Sequence, residues 1–136
     1  MPPAQPDRYE QFQAFRTRLN QRILGDAETL GTHPDGTPRR GGTLNTKRFF
    51  NLDGRVYEDG ALDAKTKELL GLVASMVLRC DDCISYHVAQ CKEAGISREE
   101  FFETFSVALV VGGSIVIPHL RRAVDFLDQL EAGESG

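Results

Sequence analysis

The sequence predicts an all-α protein of about six helices. Three observations carry this. Apolar residues recur at steps of three and four through most of the chain. Helix-start and helix-stop residues fall between those stretches. No run alternates apolar and polar residues as a half-buried strand would.

The elements follow in order. Residues 7–24 carry Tyr9, Phe12, Phe15, Leu19 and Ile23 at helical spacing, and Gly25 is the natural stop. Residues 31–43, GTHPDGTPRRGGT, are rich in Gly, Pro and charge, and read as a solvated loop expected to be mobile. A short helix is expected across NTKRFFNL, before DGRVYEDG returns to turn chemistry. From Asp63 to Leu78 the helical pattern is heavily apolar, which predicts a helix buried on most sides, with Glu68 set in that company. The next helix runs from about Asp81 to Ala94, with Gly95 at its C′ position. Ser97 and Glu100 form a capping box for a helix carrying Phe101, Phe102, Phe105, Ala108 and Leu109. Gly112–Gly113 breaks it. A last helix is expected from about Ser114 to Leu130, with Pro118 tolerated in the first turn.

With 136 residues and a mass of 15.1 kDa, the chain suits one domain, 1–136. Its organisation is an N-terminal helix and loop over 1–45 and a core over 60–130. The net charge of −4 gives no reason to expect nucleic acid or an anionic membrane as partner. The first residues lack the basic start and apolar centre of a signal peptide. The longest apolar-rich stretch, 105–118, is shorter than the ~20 residues that span a bilayer, and glycines interrupt it. A cytoplasmic protein is expected. Three cysteines are too few for a secreted disulfide scaffold, and in a reducing setting a CxxC pair more often serves metal or redox chemistry than architecture.

That pair lies in RCDDCISYH, residues 79–87. At about 100° per residue, His87 lies ~40° around a helix from Cys83 and ~20° from Cys80, so all three side chains share one face. If Cys80 instead sits just before the first turn, the sulfurs can still meet. The unpaired N–H groups of a helix N-terminus favour thiolate, whereas Asp81 and Asp82 disfavour it, so the nucleophile needs help and His87 is the nearest helper. Three readings compete. Zinc would take Cys80, Cys83 and His87, with His33 or His119 as a further ligand. Cys91 is excluded because eight residues of helix separate it from Cys83 by ~12 Å, against Zn–S bonds of ~2.3 Å. In the packing reading, the thiols and histidine fill the core. The redox reading is favoured for CxxCxxxH on one face. Cys91, alone on a helix, is expected to be inert packing. His119 reads as a capped surface helix start, and GTPRRGG as a solvated loop rather than an anion site.

The segment ELLGLVASMVLRCDDCISYHVAQCKEAGISREEFFE resembles the carboxymuconolactone decarboxylase family, in its alkyl hydroperoxidase D-like branch. The pattern is E-x11-C-x2-C-x3-H, here Glu68, Cys80, Cys83 and His87, followed by a small-residue–Gly turn and an acidic helix start. The resemblance is strong over roughly residues 60–111; the first 45 residues carry none of the motif. It implies an alkyl hydroperoxidase D-like helical fold assembling as trimers or hexamers, and a peroxiredoxin-type oxidoreductase. Cys83 would attack the peroxide and pass through a sulfenic acid. Cys80 would donate a proton and then resolve it as a disulfide, with Glu68 and His87 as proton relay. A carboxylate in an apolar helix has reason to hold a proton and pass it on. The substrate would be a peroxide or a disulfide, the reductant a dithiol protein or small thiol, with no metal or organic cofactor. The best-known members carry another histidine between the cysteines, where this chain has Asp82. That departure removes a relay group and leaves room for slow peroxidase turnover. The other classes are a non-catalytic redox-sensing or binding protein and a decarboxylase, against which the cysteine pair argues. The apolar wealth of the helices also points to a homo-oligomer.

Overall fold

A computed structural model of the chain describes residues 7–135. The opening residues read above for a leader lie largely outside that range. Seven α-helices are present among the described residues: α1 Arg8–Leu24, α2 Ala27–Leu30, α3 Leu44–Val56, α4 Ala64–Val77, α5 Asp81–Glu93, α6 Arg98–Gly112 and α7 Ile117–Ser135, with a 3-10 turn over Ser114–Val116 ahead of the last. No strand forms among them, and the one β-type pairing is an isolated bridge between Thr32 and Pro38. Among the described residues no helix is long and apolar enough to cross a membrane.

The described residues divide into two compact units, residues 10–58 and residues 7–9 with 59–135. In the 10–58 unit, α1 ends where the Gly25 N–H bonds to the Gln21 carbonyl. The short α2, not expected from the sequence, is started by the Asp26 carboxylate, which accepts from Thr29 N–H at 3.1 Å. The 31–43 segment is a turn tied by Asp35 to Thr37 and by the Arg39 side chain to the Thr32 carbonyl. α3 is longer than the sequence suggests. It starts at the Thr43 N-cap and continues through Asp53 and Gly54 to Val56. Glycine costs about 1 kcal/mol in a helix interior, which is too little to stop a helix already nucleated and capped. The turn chemistry begins only at Tyr57.

The other unit holds the candidate site. α4 packs on α5 and α6, and α5 packs on α7. Leu72 and Met76 of α4 meet a core made by Ile84, Val88 and Cys91 of α5, Phe101, Phe105 and Ala108 of α6, and Ala123, Phe126 and Leu127 of α7, all buried. Tyr9 sets its ring edge against Phe126 at 5.4 Å. The α4 expectation needs correction. Its buried side is Glu68, Leu72, Ser75 and Met76, but Leu70 and Leu78 are exposed, so the helix is not buried on most sides of a single chain. The surplus apolar residues continue on α6, where Val107, Val110 and Val111 are exposed.

The helix ends fix where α5 begins. α5 closes in a Schellman turn: Gly95 takes φ 90°, its N–H bonds to the Lys92 carbonyl, and the Ile96 N–H reaches back to Cys91. The same turn closes α4, where the Arg79 N–H bonds to Met76 and the Cys80 N–H to Ser75. There the left-handed position is filled by Arg79, at φ 60°. The α6 capping box is present as expected, with Ser97 and Glu100 bonded reciprocally at 3.1 and 2.9 Å.

Candidate active site

Cys80 is delivered by the Arg79 turn to the N-cap of α5 and lies just ahead of the first helical residue. Its Sγ accepts the Cys83 N–H at 3.4 Å, as a capping oxygen would. The two cysteines form a disulfide, with Cα atoms 5.3 Å apart. Cys80 is half-buried and Cys83 is exposed. A soluble reactant can therefore reach the second sulfur.

One turn along α5, His87 is 7% exposed and turns its Nδ1 to the Glu68 carboxylate of α4, also 7% exposed, at 2.8 Å. Glu68 is thus buried and bonded to His87, while Lys65 pairs with Glu100 at 3.6 Å. The imidazole lies against the backbone of Gly71. A Cβ placed there would fall 2.5 Å from Cε1 and 2.8 Å from Nε2 of the ring. Only a glycine on α4 leaves the slot that His87 fills. The signal was present in the sequence as a lone glycine in an otherwise strong helical run, three residues after Glu68 and so nearly on the same face.

The four residues with the motif spacing therefore lie on the α4–α5 pair, the cysteines at the start of α5 and His87 one turn further on, bonded to Glu68 of α4. Cys91 is apart from them, fully buried on the same helix, where burial and the Glu68 charge push its thiol up to about 12. At neutral pH it is an inert packing group. His119 corrects the reading of it as a surface helix start. It is half-buried, and its Nδ1 lies 2.8 Å from Asp81 Oδ1, while Arg122 Nη1 lies 3.3 Å from Asp81 Oδ2. Neither link could be read from sequence, because 38 and 41 residues separate the partners. Among the described residues no group of three or more His, Cys, Asp or Glu side chains is arranged to hold a metal ion.

With that geometry established, the chain can be compared with known proteins. The model of the carboxymuconolactone decarboxylase family matches residues 45–126. An uncharacterized protein from the cox locus of Paracoccus denitrificans is 30% identical over 96 residues, covering 71% of this chain and 86% of that one. Among solved structures, a carboxymuconolactone decarboxylase family protein of Thermotoga maritima is similar with a TM-score of 0.77 and 55% identity, over 92% of this chain and 93% of that one. Its description gives a possible involvement in antioxidative response. A family member from Legionella pneumophila is similar with a TM-score of 0.64 and 26% identity, over 93% of this chain and 97% of that one.

Proposed function

The chain belongs to the carboxymuconolactone decarboxylase family, and from that premise we propose that it is a thiol-dependent peroxidase that cycles the Cys80–Cys83 pair. One observation carries this reading. An accessible disulfide at a helix N-terminus sits one turn from a buried, hydrogen-bonded His87–Glu68 pair. A structural disulfide has no use for a buried proton-transfer pair beside it. The antioxidative description of the Thermotoga relative supports the same direction.

The chemistry balances as follows. In the reduced protein, the Cys83 thiol gives its proton to the His87–Glu68 pair. The thiolate attacks one peroxide oxygen. An S–O bond forms, the O–O bond breaks, and the leaving alkoxide takes the Cys80 proton to depart as alcohol. Cys83 is now a sulfenic acid. The Cys80 thiolate attacks its sulfur, the S–S bond forms, and the departing hydroxide takes the proton held by His87 to become water. A dithiol protein or small thiol then returns two electrons and two protons and is itself oxidised. The N–H groups at the start of α5 stabilise each thiolate as it forms. A reducing compartment such as the cytoplasm would supply that donor, and no metal or organic cofactor enters. The exposed Leu70, Leu78, Val110 and Val111 support assembly as a homo-oligomer, and the family resemblance implies a trimer or hexamer.

The test is peroxide consumption with a dithiol reductant, with cysteine oxidation followed by intact mass. Wild type should turn over and lose the mass of two hydrogen atoms on oxidation. Cys83→Ser should be inactive, and Glu68→Gln slower by roughly 10²-fold. Turnover that survives Cys83→Ser would sink the reading.

A further inference from the structure

Two aspartates stand between the cysteines, and they are not equivalent. Asp82 is exposed, so solvent and salt screen it. Asp81, at the first position of α5, is half-buried and has both carboxylate oxygens engaged by α7: His119 on one, Arg122 on the other. A carboxylate beside Cys80 disfavours every thiolate formed in this turn. One held by a guanidinium and an imidazole N–H loses most of that effect.

We propose that His119 and Arg122 are positioning residues of the dithiol: they clamp Asp81 and offset its charge, keeping Cys83 reactive at the N-terminus of α5. The proposal deepens the redox reading above and rests on it for its significance, though not for its measurement. α7 then does more than pack. It supplies the positive charge that the intervening positions of this CxxC motif lack. The remaining charged groups are Asp82 on α5, Arg79 in the turn before Cys80, Arg121 beside Arg122 in sequence, and Glu68 of α4 held by His87. None of them changes among the variants below, so their effects cancel in the comparison.

The consequence is a pair of opposite shifts. Loss of the clamp leaves an uncompensated carboxylate, so the Cys83 thiol should titrate higher. Reduction becomes less favourable because the reduced form is no longer stabilised as thiolate, and the disulfide potential moves negative. Loss of Asp81 with the clamp retained leaves net positive charge, and both quantities move the other way.

The experiment uses the full chain. The Cys83 thiol is titrated by the pH dependence of its alkylation, and the disulfide potential is measured in glutathione buffers. The proteins are wild type, the His119→Ala/Arg122→Gln pair, Asp81→Asn, and the triple variant. Arg122→Gln alone guards against misfolding, since that side chain is exposed and should give a smaller shift of the same sign as the pair. The expected result is a titration raised by roughly half a unit in the clamp-less pair, lowered by a similar amount in Asp81→Asn, and near wild type in the triple variant. A merely structural clamp would move the pair and Asp81→Asn in the same direction, and that outcome, or no shift in either, overturns the proposal. Opposite shifts in a protein that consumes no peroxide would leave the clamp intact and remove the peroxidase reading instead.

Discussion

Gly71→Ala is the sharpest probe of the site, because it adds one methyl group at a place with no room for it. The new Cβ would meet His87 Cε1 at 2.5 Å, against ordinary contacts that begin at 3.4 Å, so the ring must retreat by about 0.9 Å. The imidazole cannot retreat freely: the bond to Glu68 is 2.8 Å, and a displacement of that size breaks it unless α4 and α5 separate. Overpacking of this kind costs about 1–3 kcal/mol. Alanine gives back about 1 kcal/mol in helix propensity. The net effect on stability is therefore small, up to about 2 kcal/mol of loss. If the proposed peroxidase reading holds, the effect on proton transfer should be large, roughly 10²-fold in peroxide turnover. Urea unfolding measures the first and peroxide consumption the second. An alanine variant that gains about 1 kcal/mol and keeps full turnover would refute the argument that the glycine exists to seat the histidine.

Four further outcomes are expected. Cys91, with its thiol raised from 9.0 to about 12, should resist alkylation at pH 8 in the reduced native protein while Cys80 and Cys83 react, as read by intact mass with and without denaturant. The same shift stabilises the fold below pH 9 and is lost as pH climbs toward 12, so Cys91→Ala should flatten that part of the stability–pH curve, measured by thermal melts. Arg79→Gly should stabilise by about 1 kcal/mol, because glycine takes φ 60° without cost, while Gly95→Ala should destabilise by a similar amount; urea midpoints for the two should move in opposite directions. Ser97→Ala should cost about 1 kcal/mol through loss of the capping box, again by urea unfolding.

The parts of this molecule that were legible in the sequence are those determined by neighbours along the chain. Helix periodicity, the Gly25 stop, the Ser97–Glu100 box and the Gly95 turn all depend on residues within about one helical turn, and each appears in the structure. Cys80, Cys83 and His87 could be grouped by helical spacing, while Glu68 joined them only through the family pattern that the segment resembles, which spans one helix–turn–helix. What could not be read depends on longer separations or on competing local preferences. Asp81 looked like a plain liability for the thiolate because its partners come from α7. α3 outran its expected end because a single glycine weakens a helix without stopping it. Arg79 stands where the same turn elsewhere uses glycine, and propensity rules cannot anticipate a residue held against its preference.

That last substitution bears on how the site is built. The two Schellman turns make equivalent hydrogen bonds, yet the one with no functional group after it uses Gly95, and the one that delivers Cys80 uses Arg79. A left-handed arginine costs about 1–2 kcal/mol relative to glycine, so the fold carries strain immediately before the dithiol. A glycine would also widen the backbone choices of Cys80 whenever the disulfide opens, because it populates both signs of φ. The arginine narrows those choices in the reduced state, when no S–S bond holds the N-cap. If restraint is the reason, Arg79→Gly should raise stability while slowing re-formation of the Cys80–Cys83 bond from the dithiol, and Arg79→Asn, which tolerates left-handed φ better than arginine but less freely than glycine, should fall between. Stopped-flow oxidation of the reduced protein would decide it. Equal closure rates in all three proteins would mean that the backbone is held by its hydrogen bonds alone, and that the arginine is there for its side chain.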